Sequence, residues 1–314
     1  CYDEDNLVAI IPLIFTRKYG IRTLWAAGYK FSGTPFLMKN YNPGLVGFFF
    51  DNIIHKLNVY IPKVDEKCAK VIHGLYPNMF ITVASTNPYI DRREDQDNFE
   101  STTNHESVRK VLKKNSDTIQ FKKYDSRSDL DHHLEMMFGV EQASSKKIKN
   151  RDLFSKENNR KFYKNIVKYC NKYVRILFMY YNQTTISYDF GLEYKDVFYG
   201  YQTAFHDSYK KFVPGMAIII YSIGRLKDTT LQRYDMGGGL GLYKFRFTNS
   251  FYFLYDIWSS SNALVMFWWK LVNLARRVKQ VIYPTKNSKS GEYLYKTYPI
   301  AKPDYVIEKE KCEN

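Results

Sequence analysis

The stretch FHDSYKKFVPGMAIIIY, Phe205 to Tyr221, decides how the chain reads. It joins the strand-like run VFYGYQTAF to an apolar helical run through two lysines, a proline and a glycine. Pro214 suits a first helical turn, because it has no N–H to leave unpaired and its φ is already helical. A strand that hands over to a helix here gathers backbone N–H groups at the positive end of a helix dipole, which favours a bound anion. Lys210 and Lys211 add mobile positive charge, and Gly215 has no Cβ to hold a ligand off the backbone. An ordinary strand-to-helix loop with exposed lysines fits the same residues. Neither a Walker pattern nor G-x-G-x-x-G is present, and GGGLG at Gly237–Gly241 has the wrong spacing for a dinucleotide fingerprint.

Before this junction lie three strand-like runs, RILFMYYN, TISYDFGLEY and VFYGYQTAF, and after its helix comes the strand LQRYD. Upstream, HESVRKVLKKNSDTIQFKKYDS reads as a basic helix followed by a strand, and DLDHHLEMMFGVEQ as a helix. In the next helix Phe162, Tyr163, Ile166, Val167 and Cys170 recur at helical spacing and form an apolar stripe. The first hundred residues read as mixed α/β: a buried strand NLVAIIPLIF closed by Pro12, a strand GIRTLWAAG, a helix GLVGFFFDNII leading into a loop, and a short interior strand MFITVAS. Residues 86–104 read as a polar connector. Asn262–Ile282 reads as a helix with Trp268 and Trp269 on its apolar part and Arg276, Arg277 and Lys279 near its C-terminal end, where cations complement the dipole. It suits a helix docked on the core, with contact to a membrane surface as the alternative. The polar tail beyond it reads as a loosely held extension. The fold class is α+β, a mixed α/β protein with an N-terminal unit 1–100, a second unit 101–260 and a C-terminal helix and extension 261–314.

Composition narrows the function. The 314 residues carry 28 tyrosines, 22 phenylalanines and a net charge of +15, so the chain has material for a packed core and a preference for anionic partners. Residues 104–175 hold eighteen Lys/Arg against nine Asp/Glu, spread along helical patterns as a solvated basic face. Cys1, Cys68, Cys170 and Cys312 lie far apart, without metal-ligand or disulfide spacing, which fits a reducing, cytoplasmic setting. His132 and His133 are adjacent in a helix and lack the i, i+4 geometry of a ligand pair, so no metal is expected. No apolar run is long enough to cross a bilayer, and no signal peptide opens the chain. The absence of an initial Met suggests a piece of a longer protein.

FHDSYKKFVPGMAIII resembles the acyl-CoA loop of the GNAT acyltransferase superfamily, with Gly215 at the family's loop glycine and Ala217 at its last small residue. The usual Gln/Arg-x-x-Gly-x-Gly/Ala form is reduced here, since Phe212, Val213 and Pro214 precede Gly215. That reduction is similar to a branch of acetyltransferases of cellulose and envelope-polysaccharide biosynthesis, relatives of the Fem-type transferases. The branch's order is met by VPG at 213–215, YDMGGG at 234–239 and YKFRF at 243–247. LVAIIPL and VRKVLKK resemble its early strand and its basic helix, so the similarity spans most of residues 6–250.

The resemblance implies two GNAT-like units in tandem, with acetyl-CoA or a close relative bound by the second as co-substrate. The strand VFYGYQTAF would splay from its neighbour and offer a free edge to the pantetheine amides. The diphosphate would lie at Lys210, Lys211, Phe212, Val213, Gly215 and Met216.

Acyl transfer to an amine needs an unprotonated amine, a polarised carbonyl and a proton for the thiolate. Asp235, between a strand and three glycines, is placed to orient or deprotonate an amine, and equally to cap its own turn. His206 and Glu193 are further candidate bases, Lys244 a candidate for the acceptor or the thioester oxygen, and Tyr209 and Tyr243 candidate acids. The expected reaction is N-acylation of an amino sugar or sugar nucleotide destined for a surface glycan, with O-acetylation also open. The alternatives are a Fem-type aminoacyl-tRNA-dependent transferase, whose helical arm is not seen in the sequence, and a non-catalytic basic module for nucleic acid or membrane.

Overall fold

A computed structural model describes residues 43–53, 57–94, 96–148, 153–238 and 243–282, together with segments 2–3, 6–7, 9–10, 12–18, 20–26 and 37–38. The polar tail and Gly239 to Gly241 lie outside these residues. By compactness the chain forms two units, one of Cys1–Asn87, Gly238–Phe245 and Phe251–Asn314, the other of Pro88–Gly237 and Arg246–Ser250.

The first unit opens with short strands β1 (Tyr2–Asp3), β2 (Asn6–Leu7) and β3 (Ala9–Ile10), then β4 (Leu13–Lys18), β5 (Ile21–Ala26) and β6 (Leu37–Met38). In place of the single buried strand expected over Asn6–Phe15, the described residues there contribute to three separate strands, β2, β3 and β4. Pro12 precedes β4, which among the described residues pairs only with β5 and leaves Ile14 and Phe15 exposed. Helix α1 (Pro43–Ile53) is followed by β7 (Val59–Asp65), α2 (Glu66–Leu75) and β8 (Phe80–Asp91). β7 replaces the expected loop, since its buried face outweighs the donor lost at Pro62. Asp65 then caps α2, accepting the Cys68 N–H at 2.8 Å.

β8 runs through the first half of the expected polar connector. Its residues up to Asn87 belong to the first unit, and Pro88, which has no N–H, opens the second. The first unit's strands lie in the order β4-β5-β7-β14-β8, where β14 is Phe251–Ser259, and β5 runs parallel to β7 over only Leu24↔Val59 and Trp25↔Tyr60.

In the second unit come α3 (Gln96–Thr103), inside the former connector, α4 (Glu106–Lys114), β9 (Ile119–Tyr124), α5 (Leu130–Gln142), α6 (Ser145–Ile148) and α7 (Glu157–Cys170). Then follow β10 (Val174–Tyr181), β11 (Thr184–Tyr194), β12 (Val197–Phe205), a 3-10 turn Asp207–Phe212, α8 (Pro214–Gly224) and β13 (Arg233–Asp235). The strand order is β8-β13-β12-β11-β10-β9, antiparallel except for the parallel pair β12/β13. One face packs α8 through Ala217, Ile218 and Ile223 against Leu177, Met179, Ile186 and Phe198. The other packs Leu134, Met137 and Phe138 of α5 and Tyr163 and Val167 of α7 against Ile176, Phe178, Tyr188 and Phe190. Of the stripe expected on α7, Tyr163 and Val167 are buried, while Phe162 turns outward.

The C-terminal helix α9 (Ala263–Ile282) packs on the first unit's core as expected, with Trp269 fully buried 4.9 Å from the Trp258 ring. Leu264, Phe267, Trp268, Leu271 and Leu274, spaced along one side, are exposed. Among the described residues no helix is long and apolar enough to cross a membrane.

Candidate active site at the splay of β12 and β13

β12 pairs with β11 along its whole length, but with β13 only through Val197↔Arg233, Phe198↔Tyr234 and Tyr199↔Asp235. From Gly200 to Phe205 its outer edge meets no strand among the described residues. Two glycines allow this close start. A Cβ on Gly191 would stand 2.4 Å from the Tyr199 carbonyl oxygen, and one on Gly200 would stand 3.0 Å from the Tyr234 hydroxyl. Asp235 turns the chain away, its Oδ1 accepting the Gly237 N–H at 2.7 Å, and the Met236 N–H donates to the Pro88 carbonyl of β8. The capping role foreseen for Asp235 is thus present. The buried Asp235 carboxylate also faces Tyr199 and Tyr201, whose hydroxyl pKa values are raised by burial first and by this charge second.

The wall beneath is pinned by Asp189, fully buried on the α8 face. Its Oδ2 accepts from Ser222 Oγ of α8 at 2.7 Å and from the Tyr234 hydroxyl of β13 at 2.9 Å. Burial pushes its carboxyl up to about 6, against both hydrogen bonds.

Beyond β12, His206 Nδ1 accepts the Ser208 N–H at 3.2 Å and so caps the 3-10 turn. Lys210 pairs with Asp207 at 3.2 Å, and the Lys211 ammonium lies over the Phe212 ring. Phe212 is buried and stacked on Tyr181, with Tyr209 packed beside both. Val213 has φ 47 and ψ 43, a left-handed conformation that costs a β-branched residue about 1–3 kcal/mol. It is held by its N–H to the Lys210 carbonyl and by its own carbonyl, which accepts from the Met216 and Ala217 N–H groups.

Gly215 N–H, in the first turn of α8, has no hydrogen-bond partner among the described residues. The space at Gly215 serves packing: a Cβ there would stand 2.8 Å from Cδ1 of Phe205, so it is that ring, and not a ligand, that comes close.

On the opposite face lies a group that the sequence reading passed over. Glu141 of α5 is fully buried and accepts from the Tyr188 hydroxyl at 2.5 Å, from Gln202 Nε2 at 2.7 Å and from the Leu153 N–H at 2.8 Å. Lys146 Nζ stands 3.7 Å away and donates to the Thr203 carbonyl of β12 at 2.6 Å. Burial lowers the Lys146 pKa, the Glu141 charge opposing. A signal for Glu141 existed, since it continues the apolar stripe of Leu130, Leu134, Met137 and Phe138 at helical spacing.

Other candidates sit elsewhere. Glu193 is held between Arg175 at 2.7 Å and Arg225 at 3.1 Å. Lys244 belongs to the first unit, buried, its ammonium donating to the Gly238 carbonyl at 3.1 Å, and Tyr243 beside it is exposed. His133 donates to the Asp129 carbonyl and packs on Tyr124, while His132 lies on the next helical position.

A short parallel pair that opens into a splay, entered over a loop and a helix N-terminus, is the arrangement the GNAT resemblance implies. Residues 103–245 match the family model described as an acetyltransferase (GNAT) domain. No curated protein matches the chain by sequence. Among solved structures, L-PGS from Bacillus licheniformis is similar with a TM-score of 0.55 at 9% identity, over 82% of this chain and 83% of that one. FemX matches with a TM-score of 0.55 at 10% identity, over 82% and 86%. A conserved protein of unknown function from Bacteroides thetaiotaomicron matches with a TM-score of 0.55 at 10% identity, over 80% and 84%. At these identities the likeness is one of fold.

Proposed function

We propose that the protein is a cytoplasmic N-acyltransferase that moves an acetyl or other small acyl group from acyl-CoA to the amine of an amino sugar or sugar nucleotide in surface-glycan synthesis. The observation that carries the reading is the outer edge of β12, unpaired by any strand of the described residues from Gly200 to Phe205 and leading to the N-terminus of α8. Backbone groups on that edge suit an extended carrier with its own amides. Gly215 N–H, with Lys210 and Lys211 beside it, suits the diphosphate at a helix N-terminus, where Phe212, Val213 and Met216 shape the turn. Asp235 orients the amine near Tyr199 and Tyr201, with His206 as a further candidate for proton handling. When bound, the thioester supplies an acyl carbon open to direct attack, so no enzyme nucleophile is required.

The reading extends to two GNAT-like units in tandem. In support, each unit repeats one order: an antiparallel hairpin, a helix, and a return strand parallel to the hairpin's second strand over two or three residues. It also extends to a bilayer contact through the exposed side of α9, whose sequence places Arg276, Arg277 and Lys279 in its last turns.

Calorimetric titration with CoA tests the core of this proposal. Binding that is abolished by Gly215→Glu, and thiol release from acetyl-CoA with one of a panel of amino-sugar nucleotides, are expected. Absence of CoA binding overturns it. A Fem-type transfer from aminoacyl-tRNA is the competing reading. Lysine–tyrosine pairs on the second unit favour it, with Lys168 over Tyr169 at 5.2 Å, Lys172 over Tyr173 at 4.7 Å and Lys195 over Tyr194 at 5.7 Å. Steeply salt-dependent tRNA binding without CoA affinity would establish it.

A further inference from the structure

The ladder between β11 and β12 fixes which backbone groups of β12 face outward. His206 N–H donates to the Ile186 carbonyl at 2.8 Å, so this pair bonds into the ladder. Antiparallel pairs alternate, so Ala204 and Gln202 also bond toward β11, while Thr203 and Phe205 turn their N–H and C=O groups to the free edge. The side-chain hydroxyls of Thr203 and Ser187 agree, since they reach the Tyr188 and Ala204 carbonyls within the seam. Lys146 Nζ, bonded to the Thr203 carbonyl, therefore stands on the free edge.

Neutralising Glu141 is a weak reason for that position. Glu141 already has three donors within 2.8 Å, while the ammonium lies 3.7 Å from it and 2.6 Å from the strand carbonyl. The carboxylate and its ring of donors instead hold a cation at a backbone edge that otherwise needs none. Leaving it there costs desolvation, which the lowered Lys146 pKa reflects.

We propose that Lys146 is a catalytic residue of the acyl transfer, its ammonium being the donor that meets the thioester oxygen as negative charge develops on it; this rests on the acyltransferase reading above. The amine nitrogen's lone pair forms the C–N bond while the carbonyl π pair moves onto oxygen, where the ammonium N–H accepts no proton and loses none but stabilises the charge. Collapse re-forms the carbonyl and breaks the C–S bond, the thiolate leaving with that pair. The proton shed by the amine balances the proton gained by the thiol. Glu141, Gln202 and Tyr188 act through Lys146 as positioning residues.

The test compares wild type, Lys146→Met and the double variant Glu141→Gln/Lys146→Met by CoA calorimetry, thermal midpoint and thiol release from acetyl-CoA, with the acceptor found in the panel or with water alone. Lys146→Met is expected to lower kcat about 100-fold, the usual effect of removing one such donor, with CoA affinity changed less than about threefold. The double variant is expected to regain the wild-type midpoint, because no unpaired charge stays buried, yet to remain as slow as the single variant. Lys146→Met within about threefold of wild-type kcat, recovery of kcat in the double variant, or a loss of affinity with kcat intact each overturns the assignment while leaving the acyltransferase reading standing. Failure of the wild type to bind CoA overturns both.

Discussion

Replacing Asp189 by asparagine should remove a pH dependence of stability that the wall under the splay builds in. The carboxyl is fully buried, and its pKa rises from the ordinary 3.8 to about 6, chiefly through lost solvation. A raised folded pKa means that the folded state keeps the proton longer than the unfolded one. The stabilisation is therefore complete below about pH 4 and is lost as the pH climbs through about 6. The gap corresponds to about 3 kcal/mol. Asparagine keeps an oxygen for Ser222 and Tyr234 and carries no charge; its amide N–H groups, if unpaired, cost about 1–3 kcal/mol, but equally at every pH. The variant-minus-wild-type stability should then rise by about 3 kcal/mol between about pH 3.5 and pH 7.5. Urea unfolding at steps of pH measures it, and the subtraction cancels groups such as Asp91, whose pKa is lowered to about 2 with Arg93 and Arg233 beside it. A difference that stays flat within about 1 kcal/mol, or falls with pH, refutes the reasoning.

Two further outcomes follow from packing. Gly215→Ala, which in an open helix would stabilise by about 0.4–1 kcal/mol, should here destabilise by about 1–3 kcal/mol because its Cβ meets the Phe205 ring, and Phe205→Leu in the same chain should recover most of the loss; a rise in thermal midpoint for the single variant contradicts this. The 314-residue chain should float with phosphatidylglycerol vesicles and Phe267→Asp/Leu271→Asp should not, with circular dichroism unchanged, since both side chains are exposed; equal flotation of the two removes the proposed bilayer contact.

Much of the second unit was legible because its signals are local. The apolar period of α8, the three strand runs before it and the Pro-Gly start of the helix all read correctly from residue type. The first unit was harder. The run into Pro62 read as a loop and residues 86–104 as a connector, yet Pro62 and Pro88 both lie inside strands, at places where a partner strand or a change of partner makes a missing N–H tolerable. Asp235 was legible as the cap of its own turn, but the buried polar groups Glu141, Lys146 and Asp189 were not, although Glu141 interrupts an apolar stripe and Asp189 sits among buried residues of β11. A single polar residue in such a pattern has no meaning until its partners are known, and Lys146 comes from a four-residue helix with no period to read.

Residue order by itself determined that α8 begins at Pro214 after a strand and a lysine-bearing turn, and that its run is apolar, because these depend on neighbours within a few positions. Tertiary structure alone decided that β12 pairs with β13 over three residues only, that Gly215 makes room for Phe205, and that an ammonium from α6 reaches the Thr203 carbonyl. Those outcomes are settled by hydrogen bonds and contacts between segments far apart in sequence, and no local pattern encodes which edge of a strand remains unpaired.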